Sequence, residues 1–208
     1  MLEILKPENL IAAVGLVGVF AVVFAESGLF FGFFLPGDSL LFTAGLFASQ
    51  GRFSIVWLLI GCALAAILGD NVGYAFGRRT GPALFSRDDS FLFHKKHIGR
   101  SRDFYEKHGP KAIVLARFVP IVRTFAPIVA GVGSMRYRTF LMFNIMGGLL
   151  WTLLLALFGY FLGLAYPGAE NYLEYIIIGI IAASLIPVLI EWLRGRRKDA
   201  RGNRGEGM

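Results

Sequence analysis

The stretch AIVLARFVPIVRTFAPIVAGV, residues 112–132, is apolar enough to enter a membrane and too broken to cross it as a plain helix. Pro120, Pro127 and Gly131 interrupt it, and Arg117 and Arg123 lie inside it. Proline removes a helical hydrogen bond and clashes with the preceding turn. A charge at the bilayer centre costs roughly 2.5–3.5 kcal/mol on insertion scales. Non-helical backbone at that depth survives only when it is buried in protein or lines water. The stretch therefore reads as a re-entrant hairpin of two half-helices whose arginines need partners. Residues 10–49 are of the same kind and carry acids, Glu26 and Asp38, beside the breakers Gly28, Pro36 and Gly37. They are too long for one crossing. They read as a crossing from about Leu10, followed by a shorter hairpin over about 26–49.

The rest of the chain supports a membrane setting. It is 56% hydrophobic over 208 residues, with 26 Gly and 20 Phe, and its mean hydropathy is +0.63. Soluble domains are nearer 45–50% apolar even with glycine counted. Segments 54–77, 139–164 and 172–193 each supply the roughly 20 apolar residues of a membrane helix. The start of the chain lacks a basic region before its first apolar run, so that run reads as retained rather than as a cleaved signal peptide. Cys62 is the single cysteine and allows no internal disulfide.

The net charge of +7 is clustered: nine Lys/Arg lie between Arg78 and Lys111, and six more between Arg194 and Arg204. Basic clusters beside apolar spans mark the cytoplasmic side. With loop 78–111 in the cytoplasm, a full crossing by 112–132 would put Arg136, Arg138 and the basic tail outside. A hairpin that dips in and returns keeps all of them inside. The juxtamembrane charge accounts for the basic pI without nucleic acid.

An offset of 86 positions aligns the chain with itself. Ala44-Gly45 matches Ala130-Gly131, Arg52 matches Arg138, and Gly61, Leu64 and Leu68 match Gly147, Leu150 and Leu154. Gly73-Tyr74-x-x-Gly77 then matches Gly159-Tyr160-x-x-Gly163. Chance matching of abundant Gly, Ala and Leu is the plain alternative. The shared Arg and Gly-Tyr-x-x-Gly favour duplication. The expected fold is thus an all-α integral membrane protein. It has about four transmembrane helices and two re-entrant helical hairpins, arranged as an inverted repeat with units of about 24–80 and 110–166. One membrane domain spans 1–193, and residues 194–208 form a basic, disordered cytoplasmic tail. Broken helices meeting at the midplane are a transporter architecture.

Four charged residues carry the expected chemistry. Arginine offers a permanently charged planar fork that matches phosphate or carboxylate. Arg117 and Arg123, spaced around Pro120, are candidates to hold an anionic substrate. Pairing that merely holds the hairpins together and snorkelling to the headgroups are the structural alternatives. For Glu26 and Asp38, desolvation favours the neutral acid and a neighbouring arginine favours the carboxylate. A carboxyl held between those influences can exchange protons, so the two are proton-coupling candidates. The alternative is permanent ionisation as counter-ions. Asp38 could also cap the helix that follows. Asn144 is a substrate-binding candidate, with a hydrogen bond across helices as the alternative. Asp70 and Asn71 are expected towards the cytoplasmic half and partly wet. His94, His97 and His108 lie in the loop, so the membrane core holds no histidine base, and neither a metal site nor a cofactor is expected.

At these motifs the chain resembles the DedA family, also described by the SNARE-associated or VTT domain name. The matching pieces are Phe-Leu-Pro-Gly-Asp at 34–38, with Glu26 twelve residues before Asp38, and Gly-Asp-Asn-Val-Gly-Tyr-Ala-Phe-Gly-Arg at 69–78. Ala-Arg-Phe-Val-Pro-Ile-Val-Arg at 116–123, Ala-Gly-Val-Gly-Ser-Met at 130–135 and Gly-Tyr-Phe-Leu-Gly at 159–163 complete them. The resemblance implies a multi-pass protein of the bacterial inner membrane with two re-entrant hairpins, and the charge pattern puts its C-terminus in the cytoplasm. It also implies lipid translocation dependent on the proton motive force, with undecaprenyl phosphate and phosphatidylethanolamine as family substrates. The family's essential acids fall on Glu26 and Asp38, and its essential arginines on Arg117 and Arg123. The expected partners are a phosphate-bearing membrane lipid, protons and a possible second copy of the chain. The leading expectation is a proton-linked lipid transporter and not an enzyme. A proton-coupled cation or drug antiporter and a non-transporting assembly factor are the alternatives.

Overall fold

A computed structural model of the chain describes residues 7–29, 35–85, 109, 111–166, 168–172, 175, 176 and 179. Among them every regular element is helical: α1 (Pro7–Gly28), α2 (Gly37–Ser49), α3 (Ile55–Phe85), α4 (Lys111–Ala116), α5 (Pro120–Val132), α6 (Tyr137–Ala165) and a 3-10 turn (Ala169–Tyr172). Two helices among the described residues are long and apolar enough to cross a bilayer, over Ile55–Thr80 and Tyr137–Ala165. The expected crossing over 172–193, loop 86–108 and the tail lie outside the described residues.

The breaks have local causes. α1 is not one straight helix, because Gly15 takes φ 60°, ψ −160°, a region essentially reserved for glycine. The helix expected from about Leu10 is thus bent. The bend falls at Gly15, and the apolar helix beyond it, Gly15–Gly28, rises only about 20 Å at 1.5 Å per residue. α4 ends at Ala116, and Val119 is extended (φ −117°, ψ 108°) immediately before Pro120. Proline forces its predecessor out of the helical region and then starts the next helix well at its first position.

Packing sets these shorter pieces against the two long helices. Along α1, Phe20 covers Gly61 and Gly28 meets the Gly69 backbone, so α1 runs parallel to α3 and reaches its middle at Glu26. α2 starts beside Glu26, at Gly37, and its residues from Leu40 to Ala48 are all buried. A helix apolar on every side belongs in a core, and α2 lies in the main apolar cluster with Val19, Leu58, Ala66 and Ala156. From the other end of the bundle, Ile113 packs with Tyr74, Ala130 and Phe140. Val114 then meets Gly147, and Gly131 returns to the backbone of Tyr74 and Arg78. Close backbone approaches need glycine here. Gly45 lies against the Ala156 carbonyl, Gly159 against that of Phe42, and Gly77 against that of Ile128. Thus α2 packs on α6, and α5 on α3. The contact Gly159–Phe42 and the neighbourhood of Gly73 and Ile128 share the 86-residue offset.

Candidate functional site

The two helix breaks gather the charges. Glu26 lies near the end of α1 and is 2% exposed, while Asp38 stands in the first turn of α2. Arg123 lies in the first turn of α5, where its N–H bonds the Val119 carbonyl at 2.9 Å. Its guanidinium is shared: Nη1 donates to Asp38 Oδ1 and Nη2 to Glu26 Oε1. One planar fork thereby ties both arms of the first broken element to the second. Gly37 is required beside it, because a Cβ there would fall on the Glu26 carboxylate.

Arg117 goes elsewhere. It lies in the break between α4 and α5, is buried, and donates from Nη2 to Asp70 Oδ2 on α3. The same nitrogen reaches Asn144 Oδ1 at 2.9 Å. Asn144 Nδ2 in turn donates to the Ile67 carbonyl at 3.1 Å, so its amide joins α6 to α3 and to the break. Gly147 and Gly148 lie beside Arg117, and what they allow is close packing of the helices around it. A Cβ on the first would meet Val114 Cα at 3.3 Å, and one on the second Ile67 Cγ1 at 2.9 Å.

Of the four charges singled out in the sequence, the structure joins Glu26, Asp38 and Arg123 directly and gives Arg117 a different acid. Asp70 is not partly wet: it is 5% exposed and is the partner of Arg117. Asp38 does not cap α2, whose start has no side-chain cap. Neither arginine snorkels, since their side chains are 5% and 11% exposed.

Trp151, which the sequence pattern does not single out, joins the cluster. It sits on α6 seven residues beyond Asn144, two helical turns along one face. Its Nε1 donates to Asp38 Oδ1 at 2.8 Å. The ring centroid is 5.2 Å from Arg123 Cζ and 5.9 Å from Arg117 Cζ, within cation–π range. Trp151 is the side chain that touches both halves of the cluster. The available signal was a lone Trp, the residue with the best aromatic face for a cation, in a helix two turns from a buried Asn. Trp151→Phe keeps a ring and removes the N–H. A hydrogen bond to a charged group contributes about 1.5–3 kcal/mol, so the unfolding free energy of the purified variant should fall by about that amount, measured as the shift of its denaturation midpoint.

The charges do not balance. Three carboxyls, Glu26, Asp38 and Asp70, face two guanidiniums, and Glu26 Oε2 is buried without a hydrogen-bond partner. Buried charges of this kind are stable only when paired and hydrogen-bonded. The forks that could hold a phosphate are occupied by carboxylates, so an incoming anion must displace them. No grouping of His, Cys, Asp and Glu among the described residues could hold a metal ion.

Comparison with known proteins shows a family match and several relatives. Residues 35–161 match the VTT domain. Over 185 residues the chain is 47% identical to Protein DedA of Escherichia coli, covering 88% of this chain and 84% of that protein. It is 44% identical over 200 residues to an uncharacterized membrane protein of Mycobacterium leprae, covering 96% and 89%. It is 35% identical over 145 residues to the inner membrane protein YqjA of Escherichia coli, covering 70% and 66%. No solved structure matches.

Proposed function

The chain belongs to the VTT-domain family of DedA-like membrane proteins, and from that premise we propose that it carries a phosphate-bearing lipid between the leaflets of the inner membrane, coupled to protons. The observation that supports this most is the sharing of Arg123 between Glu26 and Asp38. A lipid phosphate competes with both carboxylates for the fork, since it offers the same oxygen geometry. The displaced Glu26 carboxylate is left buried and uncompensated, which favours taking a proton; Asp38 is half-buried and keeps the Trp151 N–H. Phosphate entry and protonation of Glu26 are then one linked event, and phosphate release reverses it. Arg117 is the second phosphate ligand, and Asn144 steers it.

In this reading each pair of short helices is re-entrant, the two enter from opposite faces, and their tips meet at the midplane. The basic clusters and the C-terminus are cytoplasmic. Undecaprenyl phosphate is the substrate of first choice, with phosphatidylethanolamine as the phospholipid alternative. The protein is a carrier rather than an enzyme.

Proteoliposomes test it. With purified protein and labelled polyprenyl phosphate, an inward-acidic or inward-alkaline gradient should accelerate movement in one direction only, and collapsing the gradient with a protonophore should remove the bias. A proton flux that depends on an added cation and proceeds without a phosphate lipid would instead assign the acids to a cation antiporter. The three-to-two excess of carboxyls keeps that second reading in play.

A further inference from the structure

Outside the central cluster, α3 carries a basic and aromatic face of its own. Asn71, Tyr74, Ala75 and Arg78 follow one side of the helix with Arg79 beside them, and Tyr137 at the start of α6 forms the facing wall. Together they line an open cavity of about 590 Å³.

The wall is braced. Arg78 Nη1 donates to the Tyr74 hydroxyl at 2.9 Å, and that hydroxyl donates to the Met135 carbonyl. Tyr74 also stacks on Phe140 with centroids 4.4 Å apart. The bond to Tyr74 uses one of five guanidinium N–H groups on Arg78. Among the described residues no carboxylate pairs with Arg78 or Arg79. Asn71 donates its amide to the Ile67 carbonyl at 2.7 Å and leaves Oδ1 buried without a partner. The cavity therefore offers two guanidinium groups without a carboxylate partner among the described residues. That pair fits a phosphate group.

Its level points to the membrane. The apolar run of α3 ends here, with Val72 and Phe76 45% and 54% exposed next to the arginines. Tyrosines at such a boundary sit at headgroup depth. A headgroup in the cavity would have its acyl chains beside Val72 and Phe76, which a free anion cannot use.

We propose that this cavity is a second binding site, separate from the central cluster, for the phosphate headgroup of a membrane lipid. Nothing in the transport reading requires it. The full chain in detergent micelles, titrated calorimetrically with dihexanoyl phosphatidic acid, glycerol 3-phosphate and inorganic phosphate, tests it. The short-chain lipid should bind at least about tenfold tighter than either soluble probe. Arg79→Gln alone, and Arg78→Gln with Arg79→Gln, should weaken it at least about tenfold. Arg79 makes no described hydrogen bond, so its single variant keeps the wall intact. Arg52→Gln, near the opposite end of α3, should change nothing. Equal affinity for all three probes would assign the cavity to free phosphate and overturn the lipid site. Unaltered affinity in both groove variants would overturn the site itself. The neutralised variant Glu26→Gln/Asp38→Asn/Arg123→Gln should keep this binding whatever becomes of transport, so failure here and failure of the central proposal are read separately.

Discussion

Arg123→Lys should slow lipid movement in proteoliposomes about 100-fold while the protein still folds. Lysine preserves the charge and loses the fork. A single ammonium cannot hold Glu26 and Asp38 in the shared geometry that Nη1 and Nη2 provide. One ionic hydrogen bond of about 1.5–3 kcal/mol is forfeited, and 100-fold corresponds to ~2.7 kcal/mol. Arg123→Gln should be worse for a different reason. It leaves the buried Glu26 and the half-buried Asp38 without a counter-charge, and breaking a buried pair in this way costs about 3–5 kcal/mol of stability. Neutralising all three groups with Glu26→Gln, Asp38→Asn and Arg123→Gln should restore the melting temperature in micelles and leave transport abolished. Wild-type transport by that triple variant would reduce Arg123 to a structural clip and end the proton-linked reading.

The second large effect belongs to Asp70. Asp70→Asn leaves the Arg117 guanidinium buried between two neutral amides, the substituted side chain and that of Asn144. Stability should fall by about 3–5 kcal/mol, measured as the denaturant or thermal midpoint of the purified protein. Pairing it with Arg117→Gln should recover most of that loss, because the uncompensated charge is gone. Transport should stay lost in the double variant if Arg117 is the second phosphate ligand proposed above; transport at the parental rate would remove it from that role. A single Asp70→Asn variant as stable as the parent would show that Arg117 draws its compensation from elsewhere.

Much of this site is written in short-range rules. Pro120 and the residue before it set the break from which Arg117 and Arg123 emerge, and the apolar runs around the acids mark them as groups that need partners. The family motifs fall on the same four positions. Other parts were not legible. Glycine at position 15 has no breaker beside it, and its bend is a backbone choice that pattern alone does not reveal. Asp70 lies in Gly-Asp-Asn, a polar patch that reads as helix surface until α6 and the break after α4 are placed over it. Trp151 reads as one more apolar residue of a crossing helix. Its polar edge matters only because Asp38 arrives beside it.

The amino-acid order by itself determined the membrane class, the position of the breaks around Pro120 and near Pro36, and the four charges that could not stand alone. Only the tertiary structure decided who pairs with whom. Arg117 meets a residue 47 positions away, and Arg123 meets residues 85 and 97 positions away. Sequence carries no preference among equally charged carboxyls at such separations. The choice follows from glycine-lined approaches that let α2 pack on α6 and α5 on α3, and so bring particular oxygens within reach of particular nitrogens.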